Sequence, residues 1–561
     1  MKHDLAEGAQ AAAVQAAAAA QVRHFRQVLL WPLRLLPMAA DRPKKPWELL
    51  QTLHGSPWRE VVDEYTGDPE GFHERHYNEF VSFLPYVQRF LYGEGRARRG
   101  GGAPDAVTGS PMRVLRRRDV ARVRVTTREG EAPVVLEVAH VDLYFFYDVD
   151  VVLLNVEVHA GELSLSRAQE LMYRFGRAYP AGWDAAGQPL HAMRSVEWLA
   201  ADGTVVAASD SQQREGFLAH VAEHRAPRIA SHWAWLLDPL VGDHSGSEGV
   251  LRYRQIEYYR MPLMAYLALD EPRELTRDDF IRLGLVVGAG EADAALPFGT
   301  AHLADFEQRY CYDRFWTEAG AAPNTRYLCS GHSLVVVGDA QSDFYGCRDR
   351  GVLAQFRHQH FLLFMIAHFQ KAALLMFSDV LVEALKQLDV SDAASVRRFK
   401  RAIRSTFESF LRFTHRYWFH EVSQQAQVKA LFHLCARHLE LDALYAEVKE
   451  RVADMNSYLD ADSLRRQANT VVRLTVVTIF GLIGTVTTGF LGMNLIAAAD
   501  EPLALRLLYF VVVFAGTWVL TVYTIMKSKR LSDLLDALSD ERLPLIGKLR
   551  SLFAVWGRRS E

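Results

Sequence analysis

Six small residues near the C-terminus have types and spacing that could do chemistry. Gly481, Gly484, Thr485, Thr488, Gly489 and Gly492 recur at i, i+3, i+4, i+7, i+8 and i+11. On a helix of 3.6 residues per turn they fall on one stripe. Small residues on one stripe let membrane helices approach closely and leave hydroxyls and backbone oxygens available. The plain reading is tight packing against a second helix or another copy of the same one. The sharper reading is a helix lining a narrow polar pore in an oligomer. From the stripe alone, packing ranks first.

The element that must carry the stripe is apolar enough to cross a bilayer. No charge occurs from Leu474 to Ala499, more than the ~20 apolar residues a spanning helix needs. A second uncharged run, Leu507 to Met526, follows a short loop with Asp500, Glu501 and Pro502. The two runs predict a helical hairpin through a membrane, residues 474–526. Arg465, Arg466 and Arg473 precede the first run, and Lys527, Lys529 and Arg530 follow the second. Positive residues stay inside, so both termini are expected in the cytoplasm and the loop outside.

The first span ends in Gly492-Met493-Asn494. A Gly-Met-Asn tripeptide closing the first of two C-terminal membrane helices, then a short acidic loop and a second span, resembles the CorA family of divalent-cation channels and transporters. The match covers about residues 440 to 530. It implies a homopentamer in the inner or plasma membrane that conducts Mg²⁺, with Gly492, Met493 and Asn494 as the external selectivity filter and the Asn494 amide oxygen toward the ion. A ring of neutral oxygen dipoles can hold a hydrated ion without trapping it. By the same resemblance, Leu474, Thr478, Leu482, Thr485 and Gly489 line the pore, the two leucines as apolar constrictions. Asp500 and Glu501 would concentrate cations at its mouth. Leu491 stands where the family often has an aromatic residue, and the proline common inside the first span is absent, with Ile483-Gly484 in that region. Ion identity therefore stays open: Mg²⁺ first, then zinc, cobalt or nickel.

The rest of the chain reads as soluble. Half of its 561 residues are apolar, 23% are charged and the net charge is −3, a globular balance with no hint of nucleic acid. Four cysteines without a close C-x₂₋₄-C pair exclude a disulfide framework and argue against a zinc site. A mostly cytoplasmic chain follows. Residues 1–110 read as a partly flexible N-terminal extension, with an alanine-rich tail, a surface or packing element at Val28 to Met38 broken by Pro32, Arg34 and Pro37 (a membrane-lying helix being the lesser alternative), and a loop at 95–111. Residues 111–345 read as an α/β (α+β) domain. Its strands are expected around Arg122–Val125, Val134–His140, Val151–His159, Thr204–Ala208 and Ile256–Leu269, with a turn at Gly130 and helix caps at Ser166 and Thr276. Residues 346–473 read as helices ending in a long stalk, with Leu441, Leu444, Val448, Val452, Met455 and Leu459 at helical spacing. The apolar run Phe361–Phe377 holds His368, Gln370 and Lys371, which a lipid-facing helix would not tolerate cheaply, so it is expected as a buried helix. The basic face Arg397–Arg404 is expected to be solvated. Residues 527–561 read as a cytoplasmic tail.

Asp148, Asp150 and Glu157 are candidate ligands for a regulatory cation, since hard divalent ions take carboxylates; ordinary solvent-facing charges are the competing expectation. No nucleophile elbow, P-loop or metal-hydrolase motif is present, so the chain is read as no enzyme and as needing no cofactor beyond the divalent ion itself. The rival class is a membrane-tethered sensor that uses the hairpin only as an anchor.

Overall fold

The computed structural model describes residues 21–37, 45–61, 74–93, 110–246, 249–257, 259–290, 295–389, 392–492 and 502–539. The chain divides into two compact units, Met1–Glu450 and Arg451–Glu561.

The first unit is mixed α/β around one large sheet. Along its main path the strands run Val205–Ala208, Ser195–Leu199, Arg122–Thr126, Val134–Phe146, Val149–Ala160, Gln21–Leu35, Leu263–Leu269, Ser333–Asp339, Arg326–Cys329 and Cys311–Tyr312. Pairing along this path is antiparallel except between Leu263–Leu269 and Ser333–Asp339. The β-branched runs VVLEVAH and VVLLNVEVH become strands as their composition predicts. They extend further, to Phe146 and Ala160, and meet across a turn at Tyr147-Asp148, where Asp148 has φ 65°. Gly130, at φ 79°, makes the preceding hairpin turn where a side chain would be strained. In Arg122–Thr126 the arginines lie on one face, while Val123 and Val125 are fully buried.

The largest departure is at the N-terminus. Val28 to Leu35 is no surface or peripheral packing element, Met38 lying outside the described residues: Gln21–Leu35 is a central strand, flanked by Val149–Ala160 and Leu263–Leu269. Residues 21–25 belong to it too, although their alanine-rich context favours helix. Both faces of this strand are covered, so its pattern is a nearly continuous apolar run rather than an alternation. Pro32, which argues against a central strand, sits at a gap. The Leu30 N–H donates toward Pro262 on the Leu263–Leu269 side, so the Pro32 nitrogen two residues on points to the same side. There the pairing with Leu263–Leu269 ends at Leu29, and pairing with Leu251–Gln255 begins at Leu33. No ladder hydrogen bond is lost. The sheet therefore draws on residues the sequence had set apart as an extension.

Two caps differ. Thr276 and Asp279 form the expected capping box, but the helix Leu165–Arg174 is capped by Ser164, which accepts from the Arg167 N–H, and not by Ser166.

Two described helices are long and apolar enough to cross a membrane, Val352–Lys386 and Leu503–Leu520. The first is largely buried in protein. His368 Nε2 donates to the Gly331 carbonyl at 3.1 Å, Gln370 donates to the Tyr417 carbonyl, and Lys371 pairs with Glu257 at 3.0 Å. Each of the three side chains is thus held by one neighbour, as expected of a core helix, although His368 Nδ1 and Gln370 Oε1 are buried without a partner among the described residues. Helix Ala393–Arg416 buries Phe399, Ile403, Phe410 and Phe413 and leaves Arg398 and Arg404 in solvent. The four cysteines are free.

Candidate functional site

Helix Leu441–Gly492 carries the small-residue stripe. At about 100° per residue, Thr478, Leu482, Thr485 and Gly489 lie within about 80° of Leu474 around the helix. All five positions are exposed, Leu474 and Leu482 each at 63%. Val476, Phe480 and Gly484 lie about 200–280° away on the same count. There Val476 is buried at 2%, and a Cβ added to Gly484 would lie 2.9 Å from the Thr517 methyl of helix Leu503–Ser539. The helix thus has a packing side and a side open along its length. The stripe is split between them, because Gly484 takes the hairpin contact while Gly481, Gly489 and Gly492 have open space at their Cα.

The threonines on this segment have a consistent polarity. The hydroxyls of Thr478, Thr485 and Thr488 donate to the carbonyls of Leu474, Gly481 and Gly484 at 2.8–2.9 Å. This back-bonding spends the proton on the helix's own backbone. What the exposed Thr478 and Thr485 oxygens then present outward is lone pairs, the polarity a cation prefers. Leu474 and Leu482 stand eight residues apart, about 12 Å along the axis, and bracket Thr478. Met493, Asn494, Asp500 and Glu501 lie outside the described residues, so of the expected filter only Gly492, the last helical residue, has a described place.

The three carboxylates proposed as cation ligands do not come together. Asp148 pairs with Arg416 at 2.8 Å and Arg412 at 3.2 Å. Asp150 is exposed at the start of its strand. Glu157 lies nine residues beyond Asp148, about 30 Å along an extended strand, and is buried at 5%. Its expected solvent-facing role fails because the strand Val149–Ala160 is covered on both faces around it.

Glu157 instead centres an ionic network that sequence reasoning missed. It accepts from Arg26 on the central strand and from Arg357 Nε at 2.8 Å, with His140 Nε2 at 3.5 Å. Burial alone would raise its pKa, but Arg357, Arg26 and His140 outweigh burial and hold it down at about 2. Burial pushes His140 below the usual imidazole value. Arg357 comes from a single π-helical turn, Phe356–His360, a distortion common where side chains must be re-aimed. The network borders a cavity of about 370 Å³ that also contains Arg116 paired to Asp142, Asn155, and Glu79 facing His358 Nδ1 at 3.2 Å. The charges are paired, but Arg26 Nε, His140 Nδ1, Asn155 Oδ1 and His358 Nε2 are buried without a hydrogen-bond partner among the described residues. Part of the signal was present in the sequence, as Asn155 and Glu157 interrupt the apolar run Val151–Val158. Their partner Arg357 is 200 residues from Glu157, and no local pattern joins them.

No family model, curated protein or solved structure matches the chain.

Proposed function

We propose that this protein is a membrane channel for divalent cations, Mg²⁺ first, in which five copies of helix Leu441–Gly492 surround a water path. The observation that carries the proposal is the two-sidedness of that helix. The face of Leu474, Thr478, Leu482, Thr485 and Gly489 is open, and it lies away from the side where Val476 is buried and Gly484 meets Thr517. A hairpin serving only as an anchor needs one packing side and lipid-facing apolar residues. It needs no outward hydroxyl oxygens, at Thr478 between two leucines and at Thr485 beyond the second. The uncharged Gly492-Met493-Asn494 end supplies the carboxamide ring at the outer mouth, and Asp500 and Glu501 raise local cation concentration. The bilayer, with both termini in the cytoplasm, supplies the driving force. A potential of ~100 mV is worth ~2.3 kcal/mol per charge, hence about twice that for a divalent ion. Leu474 and Leu482 would gate by excluding water.

The test is accessibility. In a background with the four native cysteines replaced, single cysteines are placed at Thr478, Leu482, Thr485 and Gly489, and separately at Val476 and Phe480. A water-soluble thiol reagent should block Mg²⁺ flux in the first set and spare it in the second. Equal block in both sets, or none in the first, removes the assignment of the pore face.

A further inference from the structure

Three histidines outside the membrane hairpin stand together in an open cleft of about 840 Å³ on the first unit. His220 and His224 are four apart on helix Arg214–His224, and their ring centroids are 4.6 Å apart. His244, from the loop after strand Leu240–Gly242, stacks on His224 with centroids 5.5 Å apart. Two carboxylates approach the same rings. Glu223 Oε2 is 3.8 Å from His224 Nε2, and Asp243 Oδ2 is 3.8 Å from His244 Nε2. None of these groups has a part in the proposed pore.

We propose that His220, His224 and His244 form a binding site for a borderline transition ion such as Zn²⁺, Ni²⁺ or Co²⁺, with Asp243 or Glu223 within reach as a further oxygen donor. Histidines at i and i+4 on one helix face can share a metal. With metal–nitrogen bonds of ~2.0–2.1 Å, two imidazoles on one tetrahedral ion have centroids about 5 Å apart. The observed 4.6 and 5.5 Å bracket that value. Among the described residues no group of three His, Cys, Asp or Glu side chains is placed to hold a metal ion as it stands, so ligation requires these part-exposed rings to turn toward one point. Two of the nearby cations are already engaged: Arg228 pairs with Asp210 at 2.5 Å, and Arg254 pairs with Asp243 at 2.6 Å and with Glu383; Arg225 also lines the cleft. Imidazole donors suit zinc, nickel and cobalt, whereas Mg²⁺ prefers oxygen and keeps its waters. The site should therefore discriminate against the ion proposed to pass the pore.

The test titrates Co²⁺ into the full-length protein in detergent, with millimolar Mg²⁺ present to fill oxygen-ligand sites. One Co²⁺ per chain should bind with a visible absorption of nitrogen coordination. Loss of a mere supporting partner weakens metal sites ~10–100-fold, so H224Q and H244Q should each weaken binding at least as much. H415Q, on a different helix, should bind as wild type does. Glutamine keeps size and polarity, and an unchanged denaturation midpoint shows that the variants fold. Wild-type affinity in folded H224Q and H244Q, or displacement of Co²⁺ by Mg²⁺, would overturn the site.

Discussion

Replacing Glu157 by glutamine should destabilise the sheet unit strongly and with a defined pH signature. The substitution leaves Arg26 and Arg357 buried beside a neutral amide. The carboxyl is held at about 2 in the fold against an ordinary 4.5. At ~1.4 kcal/mol per pH decade that difference is on the order of 3 kcal/mol, near the 3–5 kcal/mol typical of breaking a buried ion pair. Because the folded value is the lower one, the stabilisation is fully present above pH 4.5 and is lost as pH falls toward 2. The assay is denaturant unfolding of the full chain in detergent, followed by tryptophan fluorescence. Trp31, Trp198 and Trp233 are fully buried in this unit and lie edge to face within 6.5 Å, so their emission reports on it. The gap between wild type and E157Q should be constant from pH 7 to 5 and should narrow by about 1.4 kcal/mol per pH unit below 4.5. A gap under about 0.5 kcal/mol at pH 7, within the range of ordinary surface substitutions, would refute the network. So would a gap that does not move between pH 5 and 3.5.

Other substitutions separate packing from conduction. G484V drives a side chain against Thr517, where even a Cβ lies at 2.9 Å; it should cost the hairpin about 1–3 kcal/mol, read as a lower thermal midpoint in detergent. D148N loses its contacts with Arg412 and Arg416, which are about half exposed. It should change stability by less than ~1 kcal/mol and leave the Mg²⁺ dependence of flux as in wild type, whereas a shifted dependence would restore Asp148 as a regulatory ligand.

Local signals carried much of the fold. The alternation in Arg122–Thr126, the turn at Gly130 and the Thr276 box are each written within a few residues, and each formed as read. The polar groups of Phe361–Lys386 marked it correctly as a buried helix because a lipid-facing Lys371 has no partner and a core Lys371 has Glu257. The central strand Gln21–Leu35 was illegible for two reasons. Burial on both faces erases the period-2 pattern, and Pro32 is tolerated only because two different neighbours meet opposite it. The Ser164 cap was missed because Ser166, with Gln169 three residues on, offers the better-looking box. At the candidate site, the stripe showed which residues are small but not which side they serve. The division into a Gly484 side and a Thr485 side depends on where the second helix lies. Glu157's role depended on an arginine 200 residues away.

The most direct measurement is Mg²⁺ uptake into proteoliposomes under an inside-negative potential, comparing wild type with N494A and G492A. Potential-dependent uptake that falls sharply in both variants, at equal reconstitution, is the result predicted. Uptake unchanged in both would contradict the carboxamide-ringed pore.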